Sequence, residues 1–143
     1  MEAILLSIQK KYLGKILTGE KTIEIRKTRP NVSLPFTVFF YETAADEGAK
    51  RVLASGICDN IEVFRCIDNL TTFIAGNVTE QMEAFSCNGC ISQQDLYEYG
   101  RDCANLYGWH ISQIKKMDCS LSDFGIRKPP QSWQYLKQLK NDI

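Results

Sequence analysis

A chain of 143 residues with 44% hydrophobic and 24% charged side chains has the length and make-up of one globular domain, 1–143, which excludes disordered and collagen-like classes. Its 17 basic and 17 acidic side chains cancel, which argues against a protein that grips nucleic acid by bulk charge. No apolar run approaches the roughly 18–20 residues of a membrane span, and Ile4-Leu5-Leu6 is too short for a secretion signal, so a cytoplasmic protein without membrane contact is expected.

The charge is unevenly spread. Residues 1–41 hold seven basic and three acidic side chains, residues 42–102 four and eleven, and residues 103–143 six and three. If the two ends meet in the fold, they make a basic surface on a neutral molecule.

Ala3 to Ile8 reads as a short buried strand. Lys10 to Thr18 reads as a helix, with Tyr12, Leu13, Ile16 and Leu17 on one face and Gly19 as a left-handed cap. Next comes a strand over Thr22 to Arg26. Alternation puts Ile23 and Ile25 on one face and Thr22, Glu24 and Arg26 on the other, so the aliphatic face is expected to enter a core and the charged face to stay out of one. A basic loop between Pro30 and Pro35 leads to a strand over Phe36 to Tyr41. Arg51 to Cys58 and Ile61 to Cys66 read as a hairpin around Asp59-Asn60.

Helices are expected over Asp68 to Ala75, Thr79 to Phe85 and Gln93 to Arg101, the last capped by Ser92. Leu106 to Ile114 reads as a strand interrupted by Gly108, and Leu121 to Lys128 as loop or edge strand. After Pro129-Pro130, the spacing of Trp133, Leu136 and Leu139 predicts a closing helix over Ser132 to Lys140. About six short strands among short helices, with no βα period, give an α+β domain around a small, mostly antiparallel barrel.

Six cysteines without a secretion signal are expected to be reduced. Cys87-Asn88-Gly89-Cys90 has the spacing of a zinc knuckle but lacks a second closely spaced pair, so two free thiols are favoured and no metal or other cofactor is expected. His110, between Trp109 and Ile111, reads as a packed strand histidine rather than an acid/base catalyst.

Leu6-Ser7-Ile8, the Lys11-Tyr12 helix, the stretch Ile16-Leu17-Thr18-Gly19-Glu20-Lys21-Thr22-Ile23-Glu24-Ile25-Arg26, the strand end Phe40-Tyr41-Glu42-Thr43 and the late Pro130-Gln131-Ser132-Trp133-Gln134-Tyr135-Leu136 together resemble an ASCH domain of the PUA-like superfamily. The resemblance spans nearly the whole chain and implies a pseudobarrel with a cleft beside Lys21, Glu24 and Arg26 that binds RNA or a nucleotide-like small molecule. Ligand contacts are then expected from Lys11, Lys21, Thr22, Glu24 and Arg26. Arg26 offers a two-pronged donor, Lys21 a mobile charge and Glu24 an acceptor for base N–H groups. Tyr12, Tyr41 and Trp133 are candidate stacking partners.

A second reading is a hydrolase acting on RNA or modified nucleosides, with Glu24 as general base and Lys21 stabilising charge. In one branch of the resembling family the position of Glu24 is a Thr nucleophile; a carboxylate there cannot take over acyl transfer. A third reading is a protein-interaction module using the acidic middle segment. The sequence leaves the oligomeric state open.

Overall fold

Strand β1 (Ala3–Ile8) is buried at every position after its first, as a strand covered on both faces must be. Its even residues Ile4, Leu6 and Ile8 join an interior cluster with Val38, Phe40, Trp109 and Ile111. Leu5 faces the other way, into a smaller cluster with Tyr41, Val52 and Phe124. Helix α1 (Lys10–Thr18) caps the interior cluster through Leu13 and Ile16. It ends at Gly19, whose φ of 85° is the left-handed turn that glycine adopts without strain.

The computed structural model describes residues 1–137. The remaining strands are β2 (Ile23–Arg26), β3 (Phe36–Glu42), β4 (Arg51–Arg65), β5 (Asn105–Cys119) and β6 (Trp133–Leu136), with helices α2 (Cys66–Ile74), α3 (Glu80–Gly89) and α4 (Gln93–Gly100) between β4 and β5. The six strands form one sheet in the order β2-β5-β4-β3-β1-β6. Only the β1–β3 pair is parallel. This is the α+β, mostly antiparallel architecture anticipated from the strand count. Among the described residues no helix is long and apolar enough to cross a membrane.

Helices α2–α4 cover the outer face of the sheet. Their Leu70, Met82, Phe85 and Leu96 pack with Ile23, Ile25, Phe64 and Leu106. Ser92 caps α4 as expected, its hydroxyl accepting from Asp95 N (3.0 Å). Gly108 does not interrupt β5. It lets the ring of Phe85 sit against the strand, where a Cβ would lie 2.7 Å from Phe85 Cζ.

Two elements depart from expectation. The anticipated hairpin over 51–66 is a single strand of 15 residues, β4, paired with an equally long β5. Asp59-Asn60 is a bulge: the register slips between Cys58 and Asn60, and also between Val52 and Ala54 and between Ser55 and Ile57. Turn-forming residues serve a bulge as well as a hairpin, and repeated bulges bend the long ribbon so that the sheet curls.

The anticipated closing helix is instead β6, antiparallel to β1 with Leu6 opposite Trp133 and Ala3 opposite Leu136. The free edge of β1 offers main-chain partners that outweigh a three-residue apolar spacing, and Trp and Tyr suit a strand. Gln138, Leu139 and Lys140 of that expected helix lie outside the described residues. Leu121–Phe124 is a short 3-10 turn sealed by a Ser120/Asp123 capping box, rather than loop or edge strand.

Strands β2 and β6 occupy opposite ends of the sheet order, yet side chains join them. Arg26 Nη1 donates to Ser132 Oγ (3.2 Å), Trp133 Nε1 to Thr28 Oγ1 (2.9 Å) and Asn31 N to Tyr135 Oη (2.8 Å). The barrel is therefore closed by side chains and not by a continuous ladder, which is what makes it a pseudobarrel.

Candidate functional site

Strand β2 places its two faces as alternation requires. Ile23 and Ile25 enter the helix-side cluster, while Glu24 and Arg26 stand opposite Trp109 and Tyr107 of β5. The expectation that the charged face stays outside any core is overturned, because the curled sheet folds over it. Glu24 is 6% exposed and Lys21 5%. Buried charge is tolerated only where it is paired and hydrogen-bonded, and here it is.

Glu24 Oε2 accepts from Arg26 Nη2 (2.8 Å) and Nε (3.2 Å), and Lys21 Nζ lies 3.2 Å from Glu24 Oε1. Lys21 also donates to the carbonyls of Ile23 (2.9 Å) and Gly89 (2.7 Å). An ammonium has three protons, and all three are directed to partners. Lys21 is thus a fixed post, not the mobile charge anticipated from sequence. Arg26 donates further to Ser7 O (2.7 Å) and Ser132 Oγ (3.2 Å), which leaves one of its five N–H groups, on Nη1, without a protein partner among the described residues. Burial pushes the Glu24 carboxyl up, but the Arg26 guanidinium and the Lys21 ammonium outweigh it and hold the carboxyl below its usual value.

This triad floors an open cavity of about 410 Å³, within the range that holds a small organic ligand. The cavity lies where the parallel strands β1 and β3 end, lined there by Ile8, Gln9 and Thr43 and by Gln131 from the segment that leads into β6. Tyr12 of α1 and Tyr99 of α4 are its aromatic walls, Gly89 comes from the end of α3, and Ile91 from the turn between α3 and α4. Lys11 Nζ sits 4.9 Å from the Tyr12 ring centre, and Lys27 Nζ 4.8 Å from that of Tyr99. Burial raises the Tyr99 hydroxyl above its usual pKa, so it stays a protonated donor at neutral pH.

Of the residues expected to contact a ligand, Lys21, Glu24 and Arg26 line this cavity together, and Lys11 stands behind one of its walls. Thr22 is exposed and contributes main-chain bonds, its N–H to Asn88 O and its carbonyl to Ile111 N. Tyr41 is not brought to the cavity; it packs with Leu5, Val52 and Phe124, and burial raises its hydroxyl pKa. Trp133 is not brought there either. Its ring meets Trp109 edge-on at 6.0 Å. His110 pairs with Glu62 (2.7 Å) on another part of β4–β5.

Sequence reasoning missed Tyr99, Gln9 and Gln131. Gln9 immediately precedes α1, a boundary readable in sequence, but nothing in local spacing brings α4 or residue 131 to β2. Among the described residues no group of three or more His, Cys, Asp and Glu side chains is arranged to hold a metal ion.

The family model of the ASCH domain matches residues 6–118 of the chain. The crystal structure of ASCH from Zymomonas mobilis is similar at 17% identity and a TM-score of 0.74, covering 95% of this chain and 88% of that one. A tyrosine-to-phenylalanine variant of that protein matches at 16% identity and a TM-score of 0.75, over 96% of this chain and 92% of that one. A serine-to-alanine variant gives 16% and 0.74, over 95% and 89%. No curated protein matches the chain.

Proposed function

Because the chain belongs to the ASCH domain family, of the PUA-like superfamily, we propose that it binds RNA or a nucleotide-like ligand by taking one unpaired base into the cavity over Lys21, Glu24 and Arg26. The observation that carries this reading is the unspent hydrogen-bonding capacity at the cavity floor. Glu24 Oε1 has a lone pair beyond its Lys21 contact, and Arg26 has one N–H without a partner among the described residues. With the acceptor at the Lys21 end of the pair and the donor at the Ser132 end, the floor offers one of each, which suits the polar edge of a nucleobase better than a phosphate, which would call for several free donors. Tyr12 and Tyr99 supply ring faces and edges for a planar guest.

The hydrolase reading is weaker on the same geometry. A general base works best with a pKa near the operating pH, and two cations hold Glu24 in the opposite direction.

Titration calorimetry with the four ribonucleosides and short single-stranded RNAs tests the proposal. Tyr99→Ala is expected to weaken binding by about 1–3 kcal/mol, the worth of one base–aromatic contact. Affinity equal to that of the unaltered protein in both Tyr99→Ala and Tyr12→Ala would remove the cavity from the account.

A further inference from the structure

The cysteine pair that no zinc site explains brackets Gly89, which lines the cavity. Cys87 is exposed, Cys90 half-buried, and both are free thiols. They bracket the end of α3, where Cys90 N–H donates to Cys87 O (3.3 Å). Such a turn keeps its first and fourth Cα atoms within about 7 Å, close to the roughly 4.4–6.8 Å that a disulfide spans. The two residues between them bond the two residues that lead into β2: Asn88 O accepts from Thr22 N (2.9 Å), and Gly89 O accepts from Lys21 Nζ (2.7 Å).

We propose that Cys87 and Cys90 form a thiol–disulfide switch, oxidised by a low-molecular-weight disulfide, that moves the Gly89 carbonyl and so loosens Lys21 beneath the cavity. Cys87, the more exposed thiol, attacks the reagent disulfide as thiolate, forming a mixed disulfide and expelling one reagent thiol. Cys90 then attacks Cys87 Sγ and expels the second. Two protein thiols are oxidised, one reagent disulfide is reduced to two thiols, and the protons of Cys87 and Cys90 end on the leaving groups.

Ring closure reaches the cavity because the turn has no slack. Cys90 is left-handed (φ 53°), so its Cβ departs from the helical placement that would set it above Cys87, and joining the sulfurs turns the Asn88 and Gly89 peptides. Gly89 packs closely on β2, where a Cβ on it would lie 2.7 Å from Ile25 Cδ1 and 3.5 Å from Ile23 O, so a turn of its peptide is felt at that strand. The movement is therefore taken up in the bonds to Thr22 and Lys21.

The effect on ligand rests on the binding proposed above, whereas the effect on β2 does not, and the experiment separates them. The full chain is incubated with oxidised glutathione and followed by intact mass, peptide mapping, and hydrogen exchange at the Thr22 amide. Expected are the loss of two hydrogens, a Cys87–Cys90 link, Thr22 exchange about tenfold faster, and reversal by dithiothreitol. Cys90→Ser stops at the glutathione adduct on Cys87. A chain that stops at that adduct with Cys90 present, or that forms the link with Thr22 exchange unchanged, overturns the switch. Ribonucleoside affinity is expected to fall at least threefold on oxidation. If the reduced protein binds no ribonucleoside or short RNA, the ligand reading falls, and the exchange result still decides the switch.

Discussion

Glu24 carries one negative charge between two positive ones in a place where water barely reaches. Removing one member of such a set leaves the others buried and uncompensated, so Glu24→Gln is expected to cost about 3–5 kcal/mol in urea unfolding at neutral pH. The pH dependence follows from its depressed pKa. A folded carboxyl that titrates below its unfolded value stabilises the fold above that unfolded value, near 4.5. The contribution is lost as pH falls through the folded value. Stability of the unaltered protein should therefore decline below about pH 5 more steeply than that of Glu24→Gln, as thermal melts across that range would read. Two thiols give a second residue-level expectation. Burial pushes Cys58 up to about 12 and Cys66 up to about 11, so near pH 8 iodoacetamide should spare both in the native protein and modify them in urea. The opposition of Glu24 and Arg26 to Ile23 and Ile25 was legible from alternation alone. That Lys21 spends all its protons was not, because one acceptor, Gly89 O, comes from 68 residues away.

At the scale of elements, sequence periodicity succeeded where an element meets solvent or core on one side and failed where a neighbour's edge decided. Helix α1 with its Gly19 cap, and Ser92 at the head of α4, follow from local chemistry. Strand β6 does not, since its state is set by the open edge of β1 more than a hundred residues earlier. The length of β4 was hidden for a related reason: Asp59-Asn60 is a turn signal that the partner strand β5 converts into a bulge. Gly108 shows the same dependence on a distant partner, because its meaning is the ring of Phe85. Gly108→Ala would place a methyl group 2.7 Å from Phe85 Cζ and 3.0 Å from Ile23 Cγ2. Overpacking of that kind costs about 1–3 kcal/mol, measurable as a lower urea midpoint with unchanged slope. Shortening Phe85 to Leu in the same chain should recover part of the loss, and additive losses in the double variant would mean that the glycine is kept for its backbone and not for the ring.

The whole molecule pairs strands from its two basic ends, β6 against β1 and β5 against β2. Their strongest charges are nonetheless spent inward, Lys21 and Arg26 on Glu24 and on main-chain carbonyls. The exposed cations nearest the cavity's tyrosines are Lys11 and Lys27, each resting on one of those rings and neither in an ion pair among the described residues. Binding by this surface should accordingly divide into two parts. The base in the cavity is held by hydrogen bonds and ring contacts that ions screen little, so affinity for a free ribonucleoside should be nearly independent of salt. A short single-stranded RNA adds phosphate contacts at the rim. With two lysines available, and a slope of about −0.7 per phosphate contact for single strands, log K against log salt should fall with a slope of roughly −1.4. Lys11→Ala with Lys27→Ala should flatten that slope toward zero while leaving ribonucleoside affinity within about twofold, since neither lysine reaches the floor. A slope several times steeper in the unaltered protein would mean that RNA lies across a much wider basic face than the cavity mouth, and the base-first description of recognition would then give way to a backbone-first one.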